Sequence, residues 1–280
     1  MTLCAKPGHP MMIPKQDDPG GTEPPRGQPA DTFYDDMAAA YHLIFDDWDA
    51  AIERQQTVLS RLLPPPTDAG LVLDCACGIG TQALGLARAG YSVEGTDLSR
   101  AEIKRAKAEA VARGLDIAFR VDDMRELRTS ASGSFGVVLA FDNALPHLDS
   151  DDDVRSALGA MYARLRLGGR LLISLRDYGP LIKQHPGMTP PTIFSDDGRR
   201  RIVHQVWDWQ DERRYTVHLY ITRQMPDDAW VTSHFLGHYR AITPQEVAAH
   251  MEQVGFRQVE IRQPTETGYY QPVVTAMRQA

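Results

Sequence analysis

One stretch constrains this chain more than any other: Leu71-Val72-Leu73-Asp74-Cys75-Ala76-Cys77-Gly78-Ile79-Gly80-Thr81-Gln82-Ala83. A short apolar run ends in an acid, glycines follow within a few residues, and a helical pattern begins. That order predicts a strand, a turn whose backbone comes close to a ligand, and a helix. It is how a nucleotide site is built at the carboxyl edge of a parallel sheet. Residues Tyr91 to Gly95, Ile117 to Val121, Phe135 to Phe141 and Arg170 to Leu175 read as further strands with helical patterns between them. Ser99-Arg100-Ala101-Glu102 predicts a capping box, and Ser150 caps another helix. Strands alternating with helices mean an α/β fold, a parallel sheet covered on both faces.

The flanks differ. Residues 1–30 hold 7 prolines and 4 glycines, too little apolar surface to offset ordering entropy, so a disordered tail is expected there. A helix carrying Phe33, Tyr34, Met37, Tyr41 and Phe45 follows, then a second that ends at Pro64-Pro65-Pro66. From Arg201 to Ile242 three runs alternate with period two, and an antiparallel β inset is expected over about 180–242. Thr243-Pro244-Gln245-Glu246 opens a last helix that Gly255 ends, and two strands, Gln258 to Arg262 and Gln271 to Met277, close the chain.

Composition excludes several classes. A net charge of −7 argues against an electrostatic nucleic-acid binder. No run approaches the roughly 18 apolar residues of a membrane span. Three cysteines, Cys4, Cys75 and Cys77, make no disulfide framework and no metal pattern, which fits a reducing, cytoplasmic setting. His234 and His238 share a strand face, but no acid or cysteine completes a zinc set.

Two acids decide between cofactors. Asp97, ending the second strand, suits ribose hydroxyls in any nucleotide. Asp74, ending the first, would repel a pyrophosphate but suits S-adenosylmethionine, which carries a sulfonium, an ammonium and no phosphate. A nicotinamide oxidoreductase is therefore disfavoured. With Asp74, Ala76, Gly78, Gly80, Asp97 and Leu98 in place, the chain resembles the class I adenosylmethionine-dependent methyltransferases. The resemblance implies a Rossmann-like seven-stranded sheet with its last strand antiparallel, over residues 31–280, and places Asp123 and Met124 at the adenine.

Within that class the likeness is to the glycine and sarcosine N-methyltransferases. Asp74-Cys75-Ala76-Cys77-Gly78-Ile79-Gly80 is similar to that group's Asp-Val-Ala-Cys-Gly-Thr-Gly. Asn143-Ala144-Leu145-Pro146-His147-Leu148 is similar to Asn-Ser-Phe-Ala-His-Leu, and Arg176-Asp177-Tyr178 to Arg-Asn-Tyr. The resemblance implies that Asn143 touches the acceptor and that His147 lies near the cofactor's methionine end. It makes Arg176 the anchor of an acceptor carboxylate, which a planar guanidinium holds bidentately. Residues 31–63 become a helical lid whose Tyr34 and Tyr41 face the sulfonium or acceptor. Phe141 lines the cofactor pocket, and Tyr220, in an inset that roofs the site, matches an active-site tyrosine. His147 has an unperturbed pKa near neutrality and is a candidate base.

The expected function is methyl transfer from S-adenosylmethionine, leaving S-adenosylhomocysteine, without a metal. The acceptor is a small molecule: an amine, an amino acid or a nitrogen heterocycle of specialised metabolism. An O-methyltransferase and a non-catalytic adenosylmethionine-binding protein are the alternatives. The group forms oligomers, so a homo-oligomer is one option.

Overall fold

The structure is a computed structural model that describes residues 30–279. The tail expected over 1–30 falls, save Ala30, outside the described residues. Seven strands form one sheet in the order β10-β11-β5-β4-β1-β2-β3. They are β1 (Leu71–Asp74), β2 (Ser92–Asp97), β3 (Ala118–Val121), β4 (Phe135–Ala140), β5 (Leu165–Ser174), β10 (Arg257–Arg262) and β11 (Val273–Met277). Strand β11 runs antiparallel to both neighbours; β1 to β5 pair parallel.

Alternation within the central strands covers both faces. Val72, Val137 and Leu139 face α2 (Trp48–Leu62), α4 (Thr81–Arg88) and α5 (Arg100–Ala112). Leu73, Val138 and Ala140 face α6 (Asp151–Arg164), α8 (Pro244–Val254) and the inset. Because both faces are buried, β4 is apolar or glycine along its whole length. Ser150 caps α6 by accepting from the Asp153 amide, above three acids in the first turn. Thr243 and Glu246 close the full capping box of α8, with Gly255 at φ 115 behind it.

The inset is a separate four-stranded antiparallel sheet: β6 (Thr192–Asp196), β7 (Arg199–Trp209), β8 (Arg214–Gln224) and β9 (Trp230–Arg240). Sequence patterning anticipated three of these strands; β6 is short and exposed and carries no clear alternation. Three short helices also went unread: α3 (Pro66–Ala69), α7 (Tyr178–Gln184) and α9 (Pro264–Thr267).

The first helix is shorter than its periodicity suggests. It ends as α1 (Ala30–Met37), and a 3₁₀ turn follows over Tyr41–Ile44. Two cores divide the segment: Phe33 and Met37 pack on Leu219 and Ile221 of the inset, while Tyr41 and Phe45 also pack on the main sheet's α2–α4 side. Buried Arg201 of β7 fastens the junction, donating to the carbonyls of Leu43, Phe45 and Asp46 and pairing with Asp196 at 2.7 Å.

Close packing explains one glycine outright. A Cβ on Gly136 in β4 would lie 1.8 Å from the Ala69 carbonyl oxygen. Gly136→Ala should destabilise the fold by about 3 kcal/mol, as overpacking against backbone does. Gly159, mid-helix in α6 with nothing within 4 Å of its Cβ position, should by contrast gain about 0.5–1 kcal/mol on Gly159→Ala. Thermal melts of the two variants check both signs.

Candidate active site

The turn after β1 is set by Asp97. Its Oδ2 accepts from the Gly78 amide at 2.9 Å and its Oδ1 from the Ser99 amide at 3.0 Å. Gly78 and Gly80 take φ of 52° and 95°, which lets the chain reverse into α4. The Cys77 amide donates to the Thr96 carbonyl at 3.0 Å, tying the turn to β2. These bonds open a cavity at the carboxyl edge of β1, β2 and β4, the position a doubly wound sheet gives its ligands. Ten residues expected from the sequence line it. Ala76, Gly78, Asp97 and Leu98 form one wall with Asp123 and Met124; Phe141, Tyr34, Tyr41 and His147 form the other end.

Five expected residues do not line it. Gly80 packs under the turn against Leu84, Phe119 and Ala106. Asp74 is wholly buried below the floor, and neither oxygen closes a hydrogen bond of good geometry. Burial pushes its pKa up to about 8, the nearby Ala76 amide offsetting only part, with Asp97 and Asp142 adding to the rise. Asn143 is a clamp: its Nδ2 donates to the Tyr178 hydroxyl at 2.9 Å and its Oδ1 accepts from the Arg176 amide at 3.0 Å. Tyr220 lies on the outer face of the inset, stacked on His204 and His234 at 5.1 and 4.7 Å. The tyrosine that faces inward is Tyr215, bonded to Tyr178 at 2.7 Å.

Arg176 lies behind the His147 end of the cavity. Its guanidinium covers Trp207 at 4.9 Å and Tyr239 at 5.8 Å, and donates to Tyr215 and Gln205 at 3.4 and 3.3 Å. Among the described residues it has no acidic partner. A half-buried guanidinium held only by neutral oxygens and ring faces has room for an anion.

His147 is neutral and engaged. Its Nδ1 donates to the His238 carbonyl at 3.1 Å, so Nε2 is the acceptor of the Tyr34 hydroxyl at 2.7 Å. Burial pushes its pKa down to about 3, the His238 carbonyl opposing and Arg176 adding to the fall. It is a poor base in this state. Tyr34 belongs to α1, which also grips the opposite rim: Asp35 accepts from the Ser99 hydroxyl at 2.5 Å and the Ala101 amide at 3.0 Å.

Sequence reasoning missed three acids that line the cavity, Asp142, Glu102 and Asp149. Asp142 accepts from Gln82 at 2.5 Å, from Tyr270 at 2.8 Å and from Tyr269. It and Asn143 both sit at positive φ, 56° and 69°, a consecutive pair of strained residues of the kind found at functional sites. Glu102 was assigned to a capping box, yet its side chain does not return to Ser99. It turns into the cavity instead.

The lining carries five acids, Asp97, Asp123, Asp142, Asp149 and Glu102, the last pushed toward its neutral form by burial, and one guanidinium, Arg125, which pairs with Asp123 and Asp153. A cavity of that balance suits a cationic ligand and opposes a pyrophosphate. Among the described residues no group of three or more His, Cys, Asp or Glu is arranged to hold a metal, and no helix is long and apolar enough to cross a membrane.

The two perturbed groups act on stability in opposite directions. Asp74 has its folded pKa raised to about 8, so the stability linked to it is full below about pH 4 and is lost as pH rises through the folded value. His147 has its folded pKa lowered to about 3, so its contribution is present above about pH 6.5 and is lost as pH falls through the folded value. Asp74→Asn should therefore gain in Tm relative to wild type as pH rises from about 5 to about 8. Parallel melting curves across that window would contradict the buried, neutral Asp74.

Comparison with known proteins agrees with this geometry. Residues 72–169 match the family model described as a methyltransferase domain. The chain is 32% identical over 137 residues to the glycine/sarcosine N-methyltransferase of Parasynechococcus marenigrum (strain WH8102), covering 49% of this chain and 48% of that protein. It is 31% identical over 109 residues to the ubiquinone biosynthesis O-methyltransferase of Alkalilimnicola ehrlichii, covering 39% and 42%. The chain thus spans about half the length of the curated relatives it matches. Among solved structures it superimposes with a TM-score of 0.68 on SAM-bound CalS10, an amino pentose methyltransferase from Micromonospora echinaspora. That match has 21% identity and covers 86% of this chain and 95% of that one. The chain has the class I methyltransferase fold.

Proposed function

We propose that the protein transfers a methyl group from S-adenosylmethionine to a nitrogen of a small amine, amino acid or nitrogen heterocycle. When bound, the cofactor supplies a methyl carbon already made electrophilic by its sulfonium. The chain's own residues then have three tasks: to hold the nucleoside, to aim the acceptor and to keep out water. Asp97 and the Gly78 turn are suited to the first. Tyr34, with its proton committed to His147, leaves a hydroxyl oxygen that can accept at that end of the cavity. Arg176 is the anchor we assign to an anionic group on the acceptor, reached past the His147–Tyr239 ring pair, whose centroids lie 4.1 Å apart.

The observation that carries nitrogen over oxygen is the state of His147. A hydroxyl must lose its proton to attack, whereas an amine attacks through a lone pair it already has once its own proton has gone to solvent. The imidazole best placed to deprotonate a hydroxyl has its accepting nitrogen occupied by Tyr34, and burial, which pushes its pKa down to about 3, leaves it a weak base. Names among the relatives point both ways, to nitrogen and to oxygen.

Calorimetric titration of the wild-type protein with S-adenosylhomocysteine, and with NAD in parallel, should show binding of the first alone. Asp97→Ala should weaken it by a factor on the order of 10 or more, as loss of a charge-assisted hydrogen bond does. Binding of NAD instead would overturn the cofactor assignment. A methyl-transfer screen of paired amine and hydroxyl acceptors should then favour the amines. For an anionic acceptor so found, Arg176→Ala should raise KM on the order of 10- to 100-fold, with Arg176→Lys intermediate. Affinity for S-adenosylhomocysteine should stay within about twofold of wild type; equal loss of both would remove Arg176 from the acceptor site.

A further inference from the structure

Glu102 is the buried acid in the cavity that neither capping nor pairing accounts for. It occupies the third position of α5, two residues past Arg100, where a Ser-x-x-Glu sequence ordinarily sends the glutamate back to the cap residue's amide. That amide is already taken: Ser99 N donates to Asp97, and the Ser99 hydroxyl donates to Asp35 while accepting from the Glu102 amide. Deprived of its capping role, the Glu102 side chain turns into the cavity. It is 1% exposed, and its Oε1 has no hydrogen-bond partner among the described residues. Its Oε2 lies 3.2 Å from where a Cβ on Gly78 would sit. Burial, with Asp97 and Asp35 adding to it, pushes its pKa well above the usual carboxylate range.

An orphaned carboxyl in such a place costs folding stability. Retaining it makes sense if a ligand completes it. Asp97 and Glu102 flank the same glycine: the Gly78 amide donates to Asp97 from one side, and Glu102 closes on the α-carbon from the other. A ribose held by Asp97 therefore has Glu102 within reach. The two acids are complementary in kind, since an ionised carboxylate only accepts, whereas a neutral carboxyl donates one hydrogen bond and accepts others. A vicinal diol, with two hydroxyls that each donate and accept, matches that pair.

We propose that Glu102 is a second ribose-recognising residue, which holds one hydroxyl of the nucleoside diol as a neutral carboxyl while Asp97 accepts from the other. The proposal rests on the adenosyl ligand assigned above and adds to it a selectivity for the intact diol. Glu102 takes no part in methyl transfer itself. Its work is to orient the nucleoside and to reject analogues that lack a hydroxyl, because these leave a buried polar group unpaired.

Calorimetry with S-adenosylhomocysteine and its 2′-deoxy and 3′-deoxy forms tests this on wild type, Glu102→Gln and Glu102→Leu. Wild type should bind the full ligand and lose on the order of 10- to 100-fold for one of the deoxy forms. Glu102→Leu should lose a similar factor for the full ligand and nothing further for that same deoxy form. Glu102→Gln, which keeps a donor and an acceptor, should bind within about threefold of wild type. Melting of the ligand-free proteins supplies the second readout: Glu102→Leu should match or exceed wild type in Tm, since it removes an unpaired buried carboxyl, whereas a structural role would lower it. Glutamine failing as badly as leucine would overturn the neutral carboxyl, and an undiminished deoxy penalty in Glu102→Leu would overturn contact with the diol. Wild type that binds no adenosyl ligand would overturn the cofactor assignment and this inference with it; wild type that binds while Glu102→Leu is unaffected would overturn this inference alone.

Discussion

Asp97 holds three parts of the structure in register at once. It ends β2, accepts from Gly78 in the turn that follows β1, and accepts from Ser99 at the start of α5. Without those two bonds the glycine turn and the helix start would present unpaired amides into the same cavity, at a cost of about 1–3 kcal/mol each. The rest of the site inherits its geometry from this arrangement. Ser99 is left free to hold Asp35, which seats α1 over the rim, and Glu102 is left free of its cap.

Much of this was legible in the chain because it follows from local rules. A glycine turn between an apolar strand and a helix, an acid at the end of the next strand, and the complete capping box of α8 are short-range patterns, each with one low-cost backbone solution. The antiparallel last strand came only through family likeness. What escaped were properties that depend on tertiary competition. Ser99-x-x-Glu102 has the letters of a capping box, but Asp97 wins the amide first. Ala38-Ala39-Ala40 would extend a helix, yet two cores pull Phe33 and Tyr41 in different directions and break it.

Strand parity explains the misplaced tyrosine. Alternation in β8 separates Tyr215, Val217, Leu219 and Ile221 from His218 and Tyr220, but both sets contain an aromatic ring and the pattern does not say which faces inward. Packing against Phe33, Met37 and the Arg176 recess decides it. Asn143 and Arg176 follow β4 and β5 as expected, and their side-chain engagements are tertiary. The asparagine amide is spent on backbone and Tyr178, and the guanidinium stands on Trp207 rather than in the open cavity.

The left-handed pair Asp142–Asn143 bears on how far this loop can drift in sequence. Each position excludes β-branched and bulky side chains, since a non-glycine residue there gives up about 1 kcal/mol or more, with Asn and Asp the least penalised after Gly. Both are also engaged through their side chains, to Gln82, Tyr269 and Tyr270 in one case and to Tyr178 and Arg176 in the other. Glycine would relieve the backbone and forfeit those bonds; most other residues would forfeit both. Ala144, with ordinary right-handed backbone, carries no such restriction, while Leu145 is held by the core. Sequence change at this rim of the cavity is thus channelled away from the two residues at the end of β4 and toward Ala144, which lines the cavity.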